Sequence, residues 1–293
     1  MKFLILLLSV CLVPLTSAKP GRHGLSVSSV STSAIRSHGG FSKTSVTTTE
    51  KIELITQVPK ELPQRVSDLV YDGEKLWAII YHGQGRYATF DPVTYGWTAG
   101  HNHEQLRAIR QVSGRFESPG ALCFANGKLW IAGSYGESFG SIDLATSRVE
   151  RIFKGKQQPD DSASQSYSAM TFDGTHLWMA WHWFNYRLPR SQTQLLLKID
   201  PQTGQVIEQF SLPPGTANDG THALTWDGKQ LWHAKDQRLS AIDPSNGQVT
   251  AQYSLKQLRR PSGLAWDGTA LWIAEFEGKI FRVTFQEERL ARL

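Results

Sequence analysis

The sequence predicts an all-β protein, a five-bladed β-propeller of four-stranded antiparallel blades. The first observation is a nine-residue pattern in which an aliphatic residue is followed by an aromatic residue, a turn and a Leu-Trp pair. It occurs five times, at 69–77, 122–130, 170–178, 224–232 and 264–272. The second observation is an Asp-Gly pair at the turn of four copies, which is a strong β-hairpin signal. A hairpin that returns every 40 to 54 residues is typical of propeller repeats.

The N-terminal segment differs in composition from the repeats. Lys2 and the apolar run 3–15, followed by small residues, are typical of a cleaved secretory signal. A lipoprotein signal at Val10-Cys11 is the alternative, although a small residue is expected where Val10 stands. The next residues are rich in Ser, Thr and Gly, which favours disorder. The predicted parts are a signal peptide (1–18), a disordered leader (19–49) and the propeller (50–293).

The charge of the chain lies at its N-terminus. The formal net charge of +5 comes from five basic residues in 1–49, whereas 50–293 contains 26 basic and 26 acidic residues. A neutral body argues against a nucleic-acid surface, which needs clustered Lys and Arg. After signal removal Cys123 is the only cysteine, so no intramolecular disulfide is expected. We expect a secreted or periplasmic monomer without a membrane span.

Each nine-residue pattern supplies the two inner strands of a blade, joined by the Asp-Gly turn. We expect a type I′ turn, in which both central residues have positive φ. A second hairpin signal follows four of the patterns, at 90–92, 142–144, 199–204 and 242–247. The fifth blade lacks an outer strand, and residues 51–58 have the pattern of one, so this strand is predicted to close the ring. A sixth blade would need residues 100–117, of which 103–110 favour a short helix or loop.

Candidate catalytic residues occupy equivalent positions near one end of the ring. Positions two residues before each pattern and three residues after each Trp are expected to ring the channel mouth. They place His222, Lys235 and Glu275 on blades 4 and 5, with Asp68 beside them across the closure. Such a group could perform acid/base chemistry, since burial and mutual charge shift pKa values. The alternatives are ligand contact without catalysis and a structural ion-pair network.

An aromatic segment in blade 3 is the second candidate. Residues 181–187 form a predicted loop that is dense in aromatic and cationic side chains. Together with aromatic residues of neighbouring loops it would form a funnel suited to sugars, peptide aromatics or planar cofactors. The alternative is that these aromatic residues only pack the loop against its neighbours. The predicted ligand-binding residues are Asp68, Tyr81, His82, Tyr135, Trp181, His182, Trp183 and Arg187.

Cofactor motifs are not evident in the sequence. His101 and His103 offer two imidazoles without a third placed ligand, and the oxygen-rich segments 160–161 and 218–220 could hold Ca²⁺. The chain has no Walker loop, dinucleotide fingerprint or nucleophile elbow. We therefore predict no cofactor and no metal, with Ca²⁺ as the alternative.

The repeats at 67–285 resemble secreted quinoprotein-like propellers, a group that includes streptogramin lyases and plant or bacterial glutaminyl cyclases. The segment 261–275 is similar to the lyase repeat, and 133–144 with the five-blade count is similar to the cyclases. The cyclases place a catalytic Glu after the aromatic residue of a Leu-Tyr pair. The equivalent positions here are Ala78, Ile131, Met179, His233 and Ile273, none of which is acidic. Only blade 5 carries the lyase-like Leu-Trp-x-x-Glu, so neither catalytic set transfers to this chain.

These observations favour a propeller that binds a small molecule, glycan or peptide at its channel mouth. One alternative is a lyase or glutaminyl-cyclase-like enzyme that uses the His/Lys/Glu group. The other is a protein-interaction scaffold, because propeller repeats serve many unrelated functions.

Overall fold

The computed structural model describes residues 47–60, 65–80, 86–94, 96–99, 108–112, 119–133, 135–136, 138–156, 163–185, 192–212 and 222–288. This part of the chain forms five four-stranded antiparallel sheets, as predicted, and each sheet is one blade. Blade 1 contains β2 (Val66–Tyr71), β3 (Leu76–Ile80), β4 (Arg86–Phe90) and β5 (Trp97–Ala99). Blade 2 contains β6 (Pro119–Ala125), β7 (Lys128–Gly133), β8 (Ser138–Asp143) and β9 (Arg148–Lys154).

The remaining three blades follow in chain order. Blade 3 contains β10 (Ala163–Phe172), β11 (Leu177–Asn185), β12 (Gln192–Ile199) and β13 (Val206–Ser211). Blade 4 contains β14 (Ala223–Trp226), β15 (Leu231–Lys235), β16 (Arg238–Ile242) and β17 (Val249–Ser254). Blade 5 contains β18 (Pro261–Trp266), β19 (Leu271–Glu275), β20 (Lys279–Glu288) and, as its outer strand, β1 (Thr47–Gln57). The innermost strands β2, β6, β10, β14 and β18 contact one another around the ring.

The predicted closure by the N-terminal strand is confirmed. Strand β1 pairs antiparallel with β20, and Ile52 lies opposite Val283 in this register. Both side chains are buried, in a cluster with apolar residues of blade 4. Pairing the first strand with the last one covers a sheet edge that would otherwise expose unpaired backbone groups.

The Asp-Gly turns form by a different geometry from the one predicted. In blade 1, Gly73 has φ of 105° and Asp72 is not among the residues with positive φ. Glycine is therefore the residue with positive φ in this turn, and Asp72 is not, which excludes the predicted type I′ geometry. The Asp72 carboxylate accepts hydrogen bonds from the backbone N–H of Glu74 (2.8 Å) and Lys75 (2.7 Å), which explains why Asp precedes Gly. The Asn126-Gly127 turn of blade 2 has positive φ at both residues, as a type I′ turn requires.

The repeated tryptophans connect turn and core. The second carboxylate oxygen of each turn Asp accepts the indole N–H of the following Trp, as between Asp72 and Trp77 (2.6 Å), and the same bond recurs in blades 3, 4 and 5. Each Trp packs against apolar residues of the next blade, so that Trp178 contacts the cluster of Leu224 and Leu231 in blade 4. The Leu-Trp tryptophans thus fill the interfaces between blades, where a large aromatic surface is buried.

Between blades 1 and 2 the structure describes only residues 108–112, so 103–107 of the predicted short helix or loop lie outside the described residues. Residues 108–112 are helical, and Ala108, Ile109 and Val112 are buried against blade 2. Within the described ranges, no helix has both the length and the apolar character that a bilayer crossing requires.

Candidate functional site

The candidate site lies at the upper face, defined as the end of the ring where the innermost strands begin and the second strands end. Near this end the innermost strand of four blades contains a β-bulge, in which one residue has no partner across the strand pair. The bulged residues are Ser67, Gly120, Ser168 and Ser262, and the equivalent residue of blade 4 is His222, directly before β14. Bulges redirect side chains and are frequent beside functional sites.

A cluster of basic side chains forms between blades 3 and 4. The Lys235 Nζ lies 3.2 Å from Nε2 of His222, and Nδ1 of His222 lies 2.8 Å from Nε2 of His233. The ring of His182 in blade 3 stacks on that of His222, with 5.9 Å between ring centroids and 27° between planes. These four residues are called the basic cluster below. Their exposed fractions are 0% (His222), 2% (His233), 3% (Lys235) and 7% (His182).

Strand geometry explains how the cluster assembles. Side chains alternate between the two faces of a strand, and Leu231 of β15 packs in the interface with blade 3. His233 and Lys235 follow at intervals of two, so they face blade 3 as well. On β11, Trp178 and Ala180 face blade 4, and His182 continues that face. The predicted mouth positions at the ends of the second strands therefore lie between blades rather than along an open channel.

Burial keeps the imidazoles of His222 and His233 neutral. Desolvation lowers the pKa of His222 well below its usual value, and the charges of His233, Lys235 and His182 lower it further. Desolvation also lowers the pKa of His233 to about 3, with smaller contributions from the charges of Lys235 and Arg238. Both rings are neutral at pH 7, since protonation would place another charge beside Lys235 in a buried site.

The aromatic segment of blade 3 extends the sheet. Strand β11 continues to Asn185 and pairs with β10 on one side and β12 on the other, so the predicted loop at 181–187 begins as strand. Trp181 and Trp183 face blade 2, with Trp181 2% exposed in the interface cluster. The Nζ of Lys156 lies 5.6 Å from the Trp181 ring centroid. These two tryptophans and His182 therefore occupy opposite faces of one strand.

The predicted acidic residues have other partners. Asp68 is 1% exposed, and its carboxylate accepts the backbone N–H of Leu69 (2.8 Å) and of Leu122 in blade 2 (2.7 Å). Desolvation raises the pKa of Asp68 well above its usual value, against the lowering effect of these hydrogen bonds. The carboxylate of Glu275, which is 2% exposed, accepts the backbone N–H of Arg259 (2.5 Å). The structure thus brings His222 and Lys235 into contact, whereas Asp68 and Glu275 each join backbone segments.

Several predicted residues lie apart from the cluster or outside the described part. Tyr135 is 47% exposed in the turn after β7. The predicted residues Tyr81, His82 and Arg187, and the possible metal ligands at 101, 103, 160–161 and 218–220, lie outside the described residues. The described residues contain no group of three His, Cys, Asp or Glu side chains arranged to hold a metal ion.

His233 is a cluster member that the sequence analysis does not select. It follows the Leu-Trp pair of blade 4, where the other blades have apolar residues: Ala78, Ile131, Met179 and Ile273. The useful signal is this departure from the repeat, because a polar side chain at an otherwise apolar position needs a partner when it is buried. That partner is His222.

Comparison with known proteins shows similarity in fold. The chain matches no protein-family description and no curated protein. A catalytically inactive virginiamycin B lyase from Staphylococcus aureus, solved with quinupristin, is similar at 15% identity over 80% of this chain and 99% of that chain, with a TM-score of 0.46. BamB from Moraxella catarrhalis is similar at 12% identity over 78% of this chain and 61% of that chain, with a TM-score of 0.40. At these identities the likeness concerns the fold alone.

Proposed function

We propose that this propeller is a secreted or periplasmic protein that binds a small molecule, glycan or peptide at its upper face, with the basic cluster as the polar contact. The observation that carries the proposal is that blade 4 departs from the repeat at two positions, and that the two side chains contact each other and a buried lysine. The bulge position holds His222, the position after Trp232 holds His233, and the end of β15 holds Lys235.

The other blades act as internal controls for these positions. The bulged residue is Ser or Gly in each of them, and an apolar residue follows the Trp of each Leu-Trp pair. The fold therefore forms without basic residues there. Burying polar side chains is costly unless they are hydrogen-bonded, and burying a charge is costly even when it is paired, so a buried basic arrangement that the fold does not need favours a functional role. Ionisable groups with strongly shifted pKa values cluster at functional sites.

Burial of the cluster sets a condition on binding. Each of its residues is at most 7% exposed, so a ligand reaches Lys235 only after a local opening at the upper face. The observed affinity is then reduced by the fraction of molecules in the open state.

An enzyme of lyase or acyl-cyclising type is the second candidate, and one contact favours it. The imidazole of His222 is neutral and lies 3.2 Å from the Lys235 nitrogen, within the range for proton transfer between a general acid and a base. In this version Lys235 exchanges a proton with the substrate and His222 serves as its partner.

Mass spectrometry of compounds that co-purify with the protein tests both candidates. We expect a compound that is retained by the wild type and lost from Lys235→Met. The matched control is Lys229→Met, an exposed lysine in an Asp-Gly turn at the other end of the ring, and it should retain the compound. Equal retention by the two variants, or no specific compound in the wild type, would overturn the binding proposal. Conversion of the compound by the wild type but not by Lys235→Met would favour the enzyme.

The proposed export has a separate test. Expression in a Gram-negative host followed by fractionation should place the protein outside the cytoplasm, with a mature N-terminus at Lys19. A cytoplasmic protein that retains residues 1–18 would contradict it.

A further inference from the structure

The basic cluster contains a chain of three hydrogen-bonded side chains whose direction can be worked out. Its links are Lys235 Nζ to His222 Nε2 (3.2 Å) and His222 Nδ1 to His233 Nε2 (2.8 Å). A lysine ammonium has N–H donors and no acceptor, whereas a neutral imidazole has one donor nitrogen and one acceptor nitrogen. The lysine end of this hydrogen-bonded series therefore determines which imidazole nitrogens carry a proton.

The assignment proceeds from Lys235 inward. Because the ammonium donates, Nε2 of His222 accepts and carries no proton. A neutral His222 then has its proton on Nδ1, which donates to Nε2 of His233. The proton of His233 is consequently on its own Nδ1. The opposite tautomer of His222 would place an N–H against the lysine N–H groups, so that contact would become repulsive, and the 2.8 Å contact would persist only if His233 donated from Nε2 instead.

We infer that His233 is a positioning residue that accepts the Nδ1–H of His222 and, together with the donor Lys235, holds His222 in the Nδ1–H tautomer, so that Nε2 of His222 orients Lys235 as a donor toward an oxygen acceptor of the ligand. The ligand contact in this inference rests on the proposed function. The tautomer assignment rests on the geometry of the cluster alone. The matching ligand group is a carbonyl, carboxylate or other oxygen with lone pairs. A cationic or amine donor group is excluded at this point, because it would face another donor.

The surroundings of His233 leave it suited to positioning rather than contact. It lies opposite Leu224 of β14 and Ser240 of β16, in the middle of the sheet. It is 2% exposed, and its ring centroid lies 5.2 Å from that of His222. Lys235, at the end of β15, is one alternation of the strand closer to the upper face. His233 therefore acts through His222, whereas Lys235 is the member placed to meet a ligand.

Two substitutions at position 233 separate the acceptor role from a packing role. His233→Gln keeps a side-chain oxygen that can accept the His222 Nδ1–H, whereas His233→Met fills the site with the residue that blade 3 uses at the equivalent position, Met179. Both side chains are of moderate volume, so they differ chiefly in the acceptor. A purely structural role predicts that Met is tolerated at least as well as Gln in every measurement.

Nitrogen NMR of ¹⁵N-histidine-labelled protein without ligand is the test. We expect His222 in the wild type at pH 7 as a single neutral species with Nδ1 protonated and Nε2 unprotonated, a pattern retained in His233→Gln. In His233→Met the Lys235 contact remains and the acceptor for Nδ1–H is lost, so we expect the ratio of the Nε2–H form to the Nδ1–H form to rise by up to about tenfold, the change that follows from losing one hydrogen bond of ordinary strength.

An Nε2–H tautomer of His222 in the wild type, or a tautomer ratio in His233→Met equal to that of the wild type, would overturn the inference. The readout needs no ligand. Its failure is therefore distinguishable from failure of the proposed function, which depends on the retained compound and on Lys235→Met.

Discussion

Acidification should destabilise this protein through its buried imidazoles, and replacing His233 by Met should remove part of that effect. The pKa of His233 is lowered from 6.5 to about 3, first by desolvation and then by neighbouring positive charge. In the unfolded chain the imidazole returns to its ordinary pKa. Between these two values the unfolded state binds a proton that the folded state does not. The contribution of the neutral His233 imidazole to the free energy of unfolding is therefore fully present well above pH 6.5. It decreases as the pH falls through 6.5 and reaches its lower limit near pH 3.

The size of the effect follows from the same values. Between pH 7 and pH 5 the free energy of unfolding should fall by about 2 kcal/mol on account of His233 alone, at about 1.4 kcal/mol for each pH unit below 6.5. The His222 pKa is lowered for the same reasons, so His222 contributes in the same direction. Relative to the wild type, His233→Met should therefore lose about 2 kcal/mol less over this interval.

Urea unfolding at pH 5, 6 and 7 measures this difference, because the midpoint and slope give the free energy of unfolding at each pH. The control is Ile131→Met, which introduces the same side chain at the equivalent position of blade 2 without removing an imidazole. It should keep the pH dependence of the wild type. If His233→Met and the wild type lose the same free energy between pH 7 and pH 5, His233 does not have the buried, neutral state described here.

Three further predictions concern the fold. Asp68→Ala removes the acceptor for two buried backbone N–H groups and should lower the free energy of unfolding by about 1–3 kcal/mol in urea titrations; no change would show that these contacts are not formed. Trp232→Phe should lower the free energy of unfolding by about 1 kcal/mol more than Trp130→Phe, because of these two residues only Trp232 has a turn aspartate as its hydrogen-bond acceptor. Equal decreases would contradict that hydrogen bond. Deleting residues 1–57 removes the outer strand of blade 5 and should abolish cooperative thermal unfolding followed by circular dichroism, and a sharp transition would contradict the closure.

The repeat made the fold predictable from sequence. The nine-residue pattern specifies two strands and a turn each time, and the alternation at 51–58 identified the strand that completes blade 5. The turn type was wrong because Asp-Gly is compatible with two hairpin geometries. The choice between them depends on the Asp72 carboxylate, which caps the turn and accepts the Trp77 indole N–H, and a dipeptide rule contains no information on that contact.

The site was predictable in part, for a physical reason. Equivalent positions in a repeat share a height in the ring, so Lys235 and His222 were placed at the same end, and they are in contact. The position along the ring axis does not determine on which face of its strand each side chain lies. Trp181 and His182 are adjacent in sequence yet lie in different interfaces, and Glu275 accepts from the backbone of Arg259. Such partners depend on the packing of neighbouring blades, which the sequence of one blade does not contain.

The pairing of Thr47 with Glu288 has a consequence for biosynthesis. The strand that leaves the ribosome first among the described elements finds its neighbour only after β20, which follows the other four blades, has been made. Until then the four other blades are present but the ring is open, because β1 and β20 are not yet paired. The exposed sheet edges can meanwhile pair with strands of other chains. Folding should accordingly be slow and dependent on delayed assembly, as expected when the decisive contacts are the most distant in sequence.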